Sequence, residues 1–206
     1  NYLRSIGSSC SGWAIQTPVG VAIGSDGNVY VLNRLQRSDQ VGQHQVLKFS
    51  NDGTFLTSWG GKGRAPGELW EPQGIEVAPD GGIWVAGYMG HNVVHYDQLG
   101  NLVEEWNDHN IQPGEFAQVR GAVVGKDAKL YVTDFWNQNV HVFDRYGNFD
   151  AMWGERGQGD GQFFNFPRFT AVNDAGQVYI SDDREVRVFE DDGTFVGRSD
   201  WIIYPG

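Results

Sequence analysis

The sequence predicts an all-β chain folded as a β-propeller of four-stranded antiparallel blades, and three observations carry that prediction. Apolar and polar residues alternate with period two through short runs rich in Val, Ile, Tyr and Phe, and nothing has a helical period. Tight-turn signals such as Asn-Asp-Gly and Asp-Asp-Gly cut these runs, in keeping with 29 glycines among 206 residues. A unit of four runs recurs four times, its first strand opening at Gly20, Gly74, Gly121 and Phe169, in steps of 54, 47 and 48 residues. Four short strands in that length make one blade. A single blade cannot bury both faces, so stacked neighbours must supply the core.

The elements follow in order within each unit. First strands are GVAIGSDG (20–27), GIEVAPDG (74–81), GAVVGKDA (121–128) and FTAVNDAG (169–176). Second strands are NVYVLN (28–33), GIWVAG (82–87), KLYVTD (129–134) and QVYISD (177–182). Third strands lie in QVLKFSNDG (45–53), NVVHYDQLG (92–100), NVHVFDRYG (139–147) and EVRVFEDDG (185–193). Fourth strands close the units in TFLTSW (54–59), NLVEEW (101–106), NFDAMW (148–153) and, more loosely, TFVGRSDW (194–201). The blades are therefore expected at about 18–59, 72–106, 119–153 and 167–201, in one propeller domain. The greater length of the first unit is a polar insertion near 34–42, RLQRSDQVG. YLRSIG at 2–7 reads as the outer strand of a further blade. A six-bladed ring would need about 90 more residues, so about two blades are expected to be absent or supplied by another chain. The edges of such an open ring would favour association.

A second phrase joins the blades: WGGKGRAPGELWEPQG (59–74), WNDHNIQPGEFAQVRG (106–121) and WGERGQGDGQFFNFPR (153–168). Its tryptophans, Trp59, Trp106 and Trp153, close outer strands and are expected to pack between neighbouring blades. Its glycines lack the strand-then-helix context of a phosphate cradle, so the phrase reads as the path from one rim to the next inner strand. Topology puts the short turns at 26–28, 80–82, 127–129 and 174–177 on one end of the blades. The long phrases and the variable loops between second and third strands share the other end, where functional residues are expected.

Composition narrows the partners. With 15 basic against 26 acidic residues and a net charge of −11, clustered phosphate contacts are not expected, which excludes nucleic acid as the main partner. A cationic ligand or a basic protein patch is favoured instead. Cys10 stands alone, so no disulfide forms within the chain. No run of 18 apolar residues predicts a membrane span. NYLRSIGSS is not a signal peptide and lacks an initiator Met, so the chain is expected to be processed or part of something larger.

Candidate site residues gather at the second-strand ends and after the prolines that open first strands. Asn33, Arg34, Asp134, Trp136 and Asp182 sit at or beyond second-strand ends, and Gln73 and Arg168 follow Pro72 and Pro167. Short carboxylates there either fix the loop by accepting backbone N–H bonds or face a ligand. Arg34 and Arg168 offer planar forks for an anionic group. Trp136 reads as a stacking platform or as exposed aromatic surface for a protein partner. His95 and His141, inside third strands, read as packed or solvent-facing side chains, and His109 lies in a linking phrase.

The GxGxxPG-like phrase, the V-Y-V-x-D segment and the N-x-V-x-V-F-D-x-x-G segment together resemble NHL repeats, from Ile6 to Phe195. That resemblance implies a propeller, usually six-bladed, that serves as a binding platform and occasionally as an enzyme. It also implies an extracytoplasmic or secreted location. Among enzymes of this kind the chain is more weakly similar to the peptidyl-α-hydroxyglycine amidating lyases, which cleave a hydroxyglycine-extended peptide to an amide and glyoxylate. This second resemblance implies zinc, with His91 and His44 as loop ligands and Tyr88 in the corresponding loop. The sequence departs from it after the strand-opening prolines, where Val19, Gln73 and Arg168 stand, and at Arg120, which follows Val119. Zinc needs three or four converging ligands, and the chain has five histidines. The expected function is a binding or scaffold module for a peptide or protein. The alternative is a metal-dependent lyase or other enzyme with its site at the central channel.

Overall fold

A computed structural model of the chain describes residues 15–34, 44–107, 116–125, 127–182 and 185–199. The strand expected at 2–7, most of the 34–42 insertion and His109 lie outside the described residues. The described strands form four antiparallel sheets, each in simple sequence order. Blade 1 comprises β1 (Pro18–Ile23), β2 (Val29–Arg34), β3 (His44–Phe49) and β4 (Phe55–Gly60). Blade 2 comprises β5 (Pro72–Val77), β6 (Ile83–Gly87), β7 (Asn92–Tyr96) and β8 (Leu102–Asn107). Blade 3 comprises β9 (Val119–Val124), β10 (Leu130–Asp134), β11 (Asn139–Phe143) and β12 (Phe149–Trp153). Blade 4 comprises β13 (Thr170–Val172), β14 (Val178–Ser181), β15 (Val186–Phe189) and β16 (Phe195–Arg198). The chain divides into two compact units, 1–105 and 106–206, with the boundary inside β8.

The hairpin turns that close blades 2 and 3 follow from an Asp-x-x-Gly pattern. Asp97 Oδ1 accepts the backbone N–H groups of Leu99 (2.8 Å) and Asn101 (2.9 Å), and Asp144 does the same for Tyr146 and Asn148. These bonds, those from the Asn101 and Asn148 side chains foremost, hold both carboxyls below the ordinary aspartate range.

The recurring tryptophan is explained by what lies on it. In the first unit Trp59 meets Tyr30 of its own blade and Tyr96 of blade 2 edge-on, each at 6.2 Å. In the second unit Trp153 lies on Phe189 of blade 4 at 4.6 Å, and Trp106 on Phe143 at 4.7 Å. The turn glycines of blades 2 and 4 cover the first and last of these rings. A Cβ on Gly100 would fall 2.6 Å from the Trp59 ring and one on Gly193 2.4 Å from Trp153, and both residues have φ of +87°. Only glycine meets both demands, left-handed backbone and close approach.

The linking phrase plugs the same junctions. Leu69 and Phe163 occupy one place in the phrase and are fully buried. Leu69 N–H donates to Gly61 O (2.7 Å) while Leu69 O accepts from Gly63 N–H (3.2 Å). Phe163 repeats the pattern with Glu155 O (2.7 Å) and Gly157 N–H (2.9 Å). The phrase thus satisfies its own backbone as it crosses from rim to inner strand.

Three polar side chains are placed where an apolar residue would be ordinary. Two positions before the buried aromatics Phe49, Tyr96, Phe143 and Phe189, the blades carry Leu47, Val94, His141 and Arg187 in turn. His141 is fully buried, with Phe116 edge-on at 5.0 Å and Phe149 edge-on at 6.4 Å. Burial pushes its pKa down, with the Asp134 carboxylate acting the other way. Arg187 is buried with Asp182. Glu76, on β5, stands opposite Trp84, which stands opposite His95 and stacks on it at 3.9 Å. Burial pushes the Glu76 carboxyl up to about 7.

Candidate functional site

The end of the blades that carries the linking phrases is shaped first by side chains that tie loops down. Asn33, buried at the end of β2, accepts through Oδ1 from the N–H groups of Gln16 (3.0 Å) and Thr17 (3.3 Å). Asp134, at the same place in blade 3 and fully buried, accepts from Ala117 N–H (2.7 Å) and Gln118 N–H (3.2 Å). It also accepts from the N–H groups of Trp136 and Asn137, each at 3.0 Å, and from Asn137 Nδ2 at 3.1 Å. Five donors on one carboxylate fix both the segment entering the blade and the loop leaving β10. Asp182 accepts from Glu185 N–H at 3.2 Å and faces Arg187.

Blade 2 has glycine at this place. A Cβ on Gly87 would fall 2.1 Å from Asn92 Oδ1, so a side chain there would displace the Asn92 amide, and blade 2 has no side-chain staple at this place. Tyr88 N–H donates to Glu71 O (3.2 Å) and Met89 N–H to Trp70 O (3.3 Å). Glu71 and His91 then adopt left-handed backbone, with φ of 49° and 52°. Such values are uncommon outside glycine and mark local strain.

The structure brings Arg34 and His44 together around Glu71. The β2–β3 register sets Arg34 directly opposite His44. Arg34 Nη1 lies 3.2 Å from Glu71 Oε2, and His44 Nε2 lies 3.8 Å from Glu71 Oε1. His44 is wholly buried, and its Nδ1 is 3.0 Å from Leu69 O and 3.2 Å from Glu71 N. A bare Nδ1 accepts from Glu71 N–H, whereas a protonated one donates to Leu69 O. The carboxylate of Glu71 is partly open to solvent, with a side-chain exposure of 31%. Sequence reasoning passed over Glu71. Its only signal is that it precedes the proline opening β5, where blade 1 has Thr17, blade 3 Gln118 and blade 4 Phe166.

In the second unit the same places build an aromatic and cationic array. Phe135 stacks on Phe166 at 4.3 Å and 17°, and Phe166 lies nearly parallel to Trp136 at 6.1 Å and 15°. Arg120 sets its guanidinium carbon 4.3 Å from the Phe135 centroid and Arg168 sets its own at 5.8 Å. Trp136 is 62% exposed while Phe135 is buried. Trp136 and Arg168 thus share one array, joined by Phe135 and Phe166, which a pattern of alternating residues does not reveal.

The zinc implied by resemblance can be tested against these positions. His44 commits Nδ1 to backbone, and His91 occupies a left-handed turn that blade 3 matches with Gln138 at φ 57°. His95 pairs with Glu104 at 3.3 Å beneath Trp84. Among the described residues no three His, Cys, Asp or Glu side chains gather closely enough to hold an ion, so these residues do not fit a zinc site. Gln73 lies half-buried on β5, with no side-chain contact that assigns it a role.

Comparison with known proteins agrees with the fold. Residues 119–197 match the family model DUF5128, a 6-bladed beta-propeller. No curated protein sequence matches the chain. A protein of unknown function from Bacteroides caccae is similar at 18% identity and a TM-score of 0.57, with 92% of this chain and 61% of that one covered. A virginiamycin B lyase from Staphylococcus aureus aligns at 12% identity and a TM-score of 0.65, covering 91% and 56%. A gluconolactonase from Xanthomonas campestris aligns at 18% identity and a TM-score of 0.63, covering 87% and 61%. The chain therefore spans less than two thirds of the length of each. At these identities the likeness establishes a β-propeller fold and nothing finer.

Proposed function

We propose that this chain is a binding module of NHL type that holds a peptide or protein ligand on the strand-end surface of blades 3 and 4. The observation that carries the reading is Trp136: a large ring, 62% exposed, held nearly parallel to Phe166 by a loop that Asp134 fixes. A rigid aromatic presented this way is a typical energetic anchor, costing about 2 kcal/mol of affinity or more when truncated. The test is selection from a random peptide display library on the intact protein, followed by titration on Trp136→Ala. Affinity is expected to fall by about 30-fold or more without change in thermal stability. Equal affinity on both proteins would exclude the shelf as the binding surface.

A second reading, an enzyme with its site on the same end of the first two blades, is favoured by Glu71. A strained, partly exposed carboxylate set between Arg34 and a buried histidine is an arrangement suited to proton transfer. The gluconolactonase among the similar folds lends it a class, the opening of a lactone or a related substrate. Glu71→Gln is expected to abolish turnover of such substrates while leaving peptide binding at Trp136 intact. Unchanged turnover would remove Glu71 from the chemistry.

A further inference from the structure

We propose that the loop bearing Trp136 is an acid-operated latch: when His141 takes up a proton, residues 135–138 open and the aromatic platform of Trp136 comes apart. The latch stands on geometry alone. Its consequence, release of a ligand in acid, rests on the binding reading above. Burial is the first observation. His141 is fully buried, and neither of its ring nitrogens has a hydrogen-bond partner. Phe116 and Phe149 meet the ring edge-on, and Phe143 lies parallel to it at 6.4 Å. An imidazolium there would hold two charged N–H donors without an acceptor, which a closed apolar site strongly disfavours.

Register is the second. Val132 stands opposite His141, and Asp134 stands opposite Asn139. Residues two apart on a strand share a face, so Asp134 and His141 are diagonal neighbours on one face of blade 3. Asp134 is the charged group that acts on His141. From β12 the ring meets Phe149 and stands opposite Met152, while Asp150 of that strand is paired with Lys129 Nζ at 2.9 Å. From the linking phrase it meets Phe116. Strain is the third observation. Gln138 closes the loop in left-handed backbone, φ 57°, with its buried Oε1 unpartnered. The loop is held against that cost by Asp134, which accepts from the N–H groups of Trp136 and Asn137. The carboxylate that closes the loop is thus also the anion that an imidazolium at His141 draws. Protonation weakens its hold, and the opened loop lets water reach the ring. The open form binds the proton at the ordinary histidine value of 6.5 and the closed form less tightly, so opening is favoured as pH falls below 6.5. Blade 1 has Asn33 and Leu47 at the two places, and neither ionises.

The experiment is amide hydrogen exchange followed by NMR on the full chain, with rates expressed as protection over the unstructured peptide at each pH. The Trp136 and Asn137 amides are expected to lose about 10-fold or more of their protection between about pH 7.5 and pH 5. The Gln16 and Thr17 amides, which blade 1 ties to Asn33, are expected to keep theirs. His141→Leu places the blade 1 residue in blade 3 and is expected to abolish the loss at Trp136 and Asn137. Tyr131 and Val142, opposite each other in the middle of blade 3, are expected to remain better protected than the loop at every pH. Constant protection at Trp136 and Asn137 in the wild-type protein would overturn the latch. An equal loss in His141→Leu would overturn it too, by assigning the proton to another group. A fall of Tyr131 and Val142 to the level of the loop would mean that the whole blade opens, and no latch exists. The wild-type comparison of the two staples decides the matter even if the leucine variant does not fold. Titration on Trp136→Ala separately decides the binding reading.

Discussion

Replacing Arg187 by methionine is expected to cost about 3–5 kcal/mol of stability, the range found when one partner of a buried ion pair is removed. Methionine fills the volume and removes the charge. Arg187 is 1% exposed, donates from Nη1 to Gly159 O at 2.9 Å, and meets Glu185 through Nη2. Its Nε faces Asp182 Oδ2 at 3.6 Å, a contact that is ionic more than hydrogen-bonded. Without the guanidinium, Asp182 stays buried without its ionic contact to Arg187, Glu185 loses its Nη2 partner and Gly159 loses its donor. The penalty therefore lies mostly in what remains, not in the strength of the pair itself. The double variant Arg187→Met with Asp182→Asn separates the two. It is expected to be more stable than Arg187→Met alone, with a coupling of about 1–3 kcal/mol in a denaturant-unfolding cycle. Additive losses would mean that the two side chains act independently and that Arg187 serves the Gly159 carbonyl and the Glu185 carboxylate.

Arg187 also shows where reading the sequence stops. In EVRVF the arginine falls in a period-two alternation that looks like any half-exposed strand. Its burial depends on Gly159, which arrives from the phrase between blades, 28 residues earlier. The blades themselves were legible because each is local: strands pair with their sequence neighbours, and tight turns ending in glycine join the third strand to the fourth. The candidate residues divide along the same line. Asn33 and Asp134 were identifiable as strand-end polar groups, and their bonds run to the segment just ahead of their own blade. Glu71, Phe135 and Phe166 gain their significance from neighbours in the adjoining blade, so no local pattern marks them. Equivalent sequence positions also proved unequal in geometry. His44 is buried within a strand, whereas His91 occupies a left-handed turn. Blade 3, with its Asp134 staple in place, has Gln138 in the same left-handed turn, so blade 1 is the exception, its β2 and β3 being joined by a longer loop.

Glu76 supplies the second large effect, and its sign is set by the direction of its shift. Its folded pKa of about 7 lies above the ordinary 4.5, so the folded state binds the proton more tightly than the unfolded chain. The stabilisation is complete below pH 4.5 and is lost as pH rises through about 7, where the half-buried carboxyl must ionise. The full loss amounts to at most about 3 kcal/mol, reduced by whatever solvent reaches the group. Other groups titrate nearby. His141, held below its ordinary value, destabilises the fold as pH falls below 6.5, which opposes Glu76 within the same window. Asp97, Asp144 and Asp192 are held below 3.8 and act only in more acidic solution. The profile of the wild-type protein alone would therefore mix opposing slopes. Glu76→Gln is close in size, cannot ionise, and leaves the other groups in place. Subtracting the two unfolding free energies at each pH isolates the one carboxyl. The difference is expected to shift in favour of the glutamine variant between pH 4.5 and 7 and to level off above. A difference independent of pH would mean that Glu76 titrates as a solvated glutamate, and that the row it forms with Trp84 and His95 opens to water.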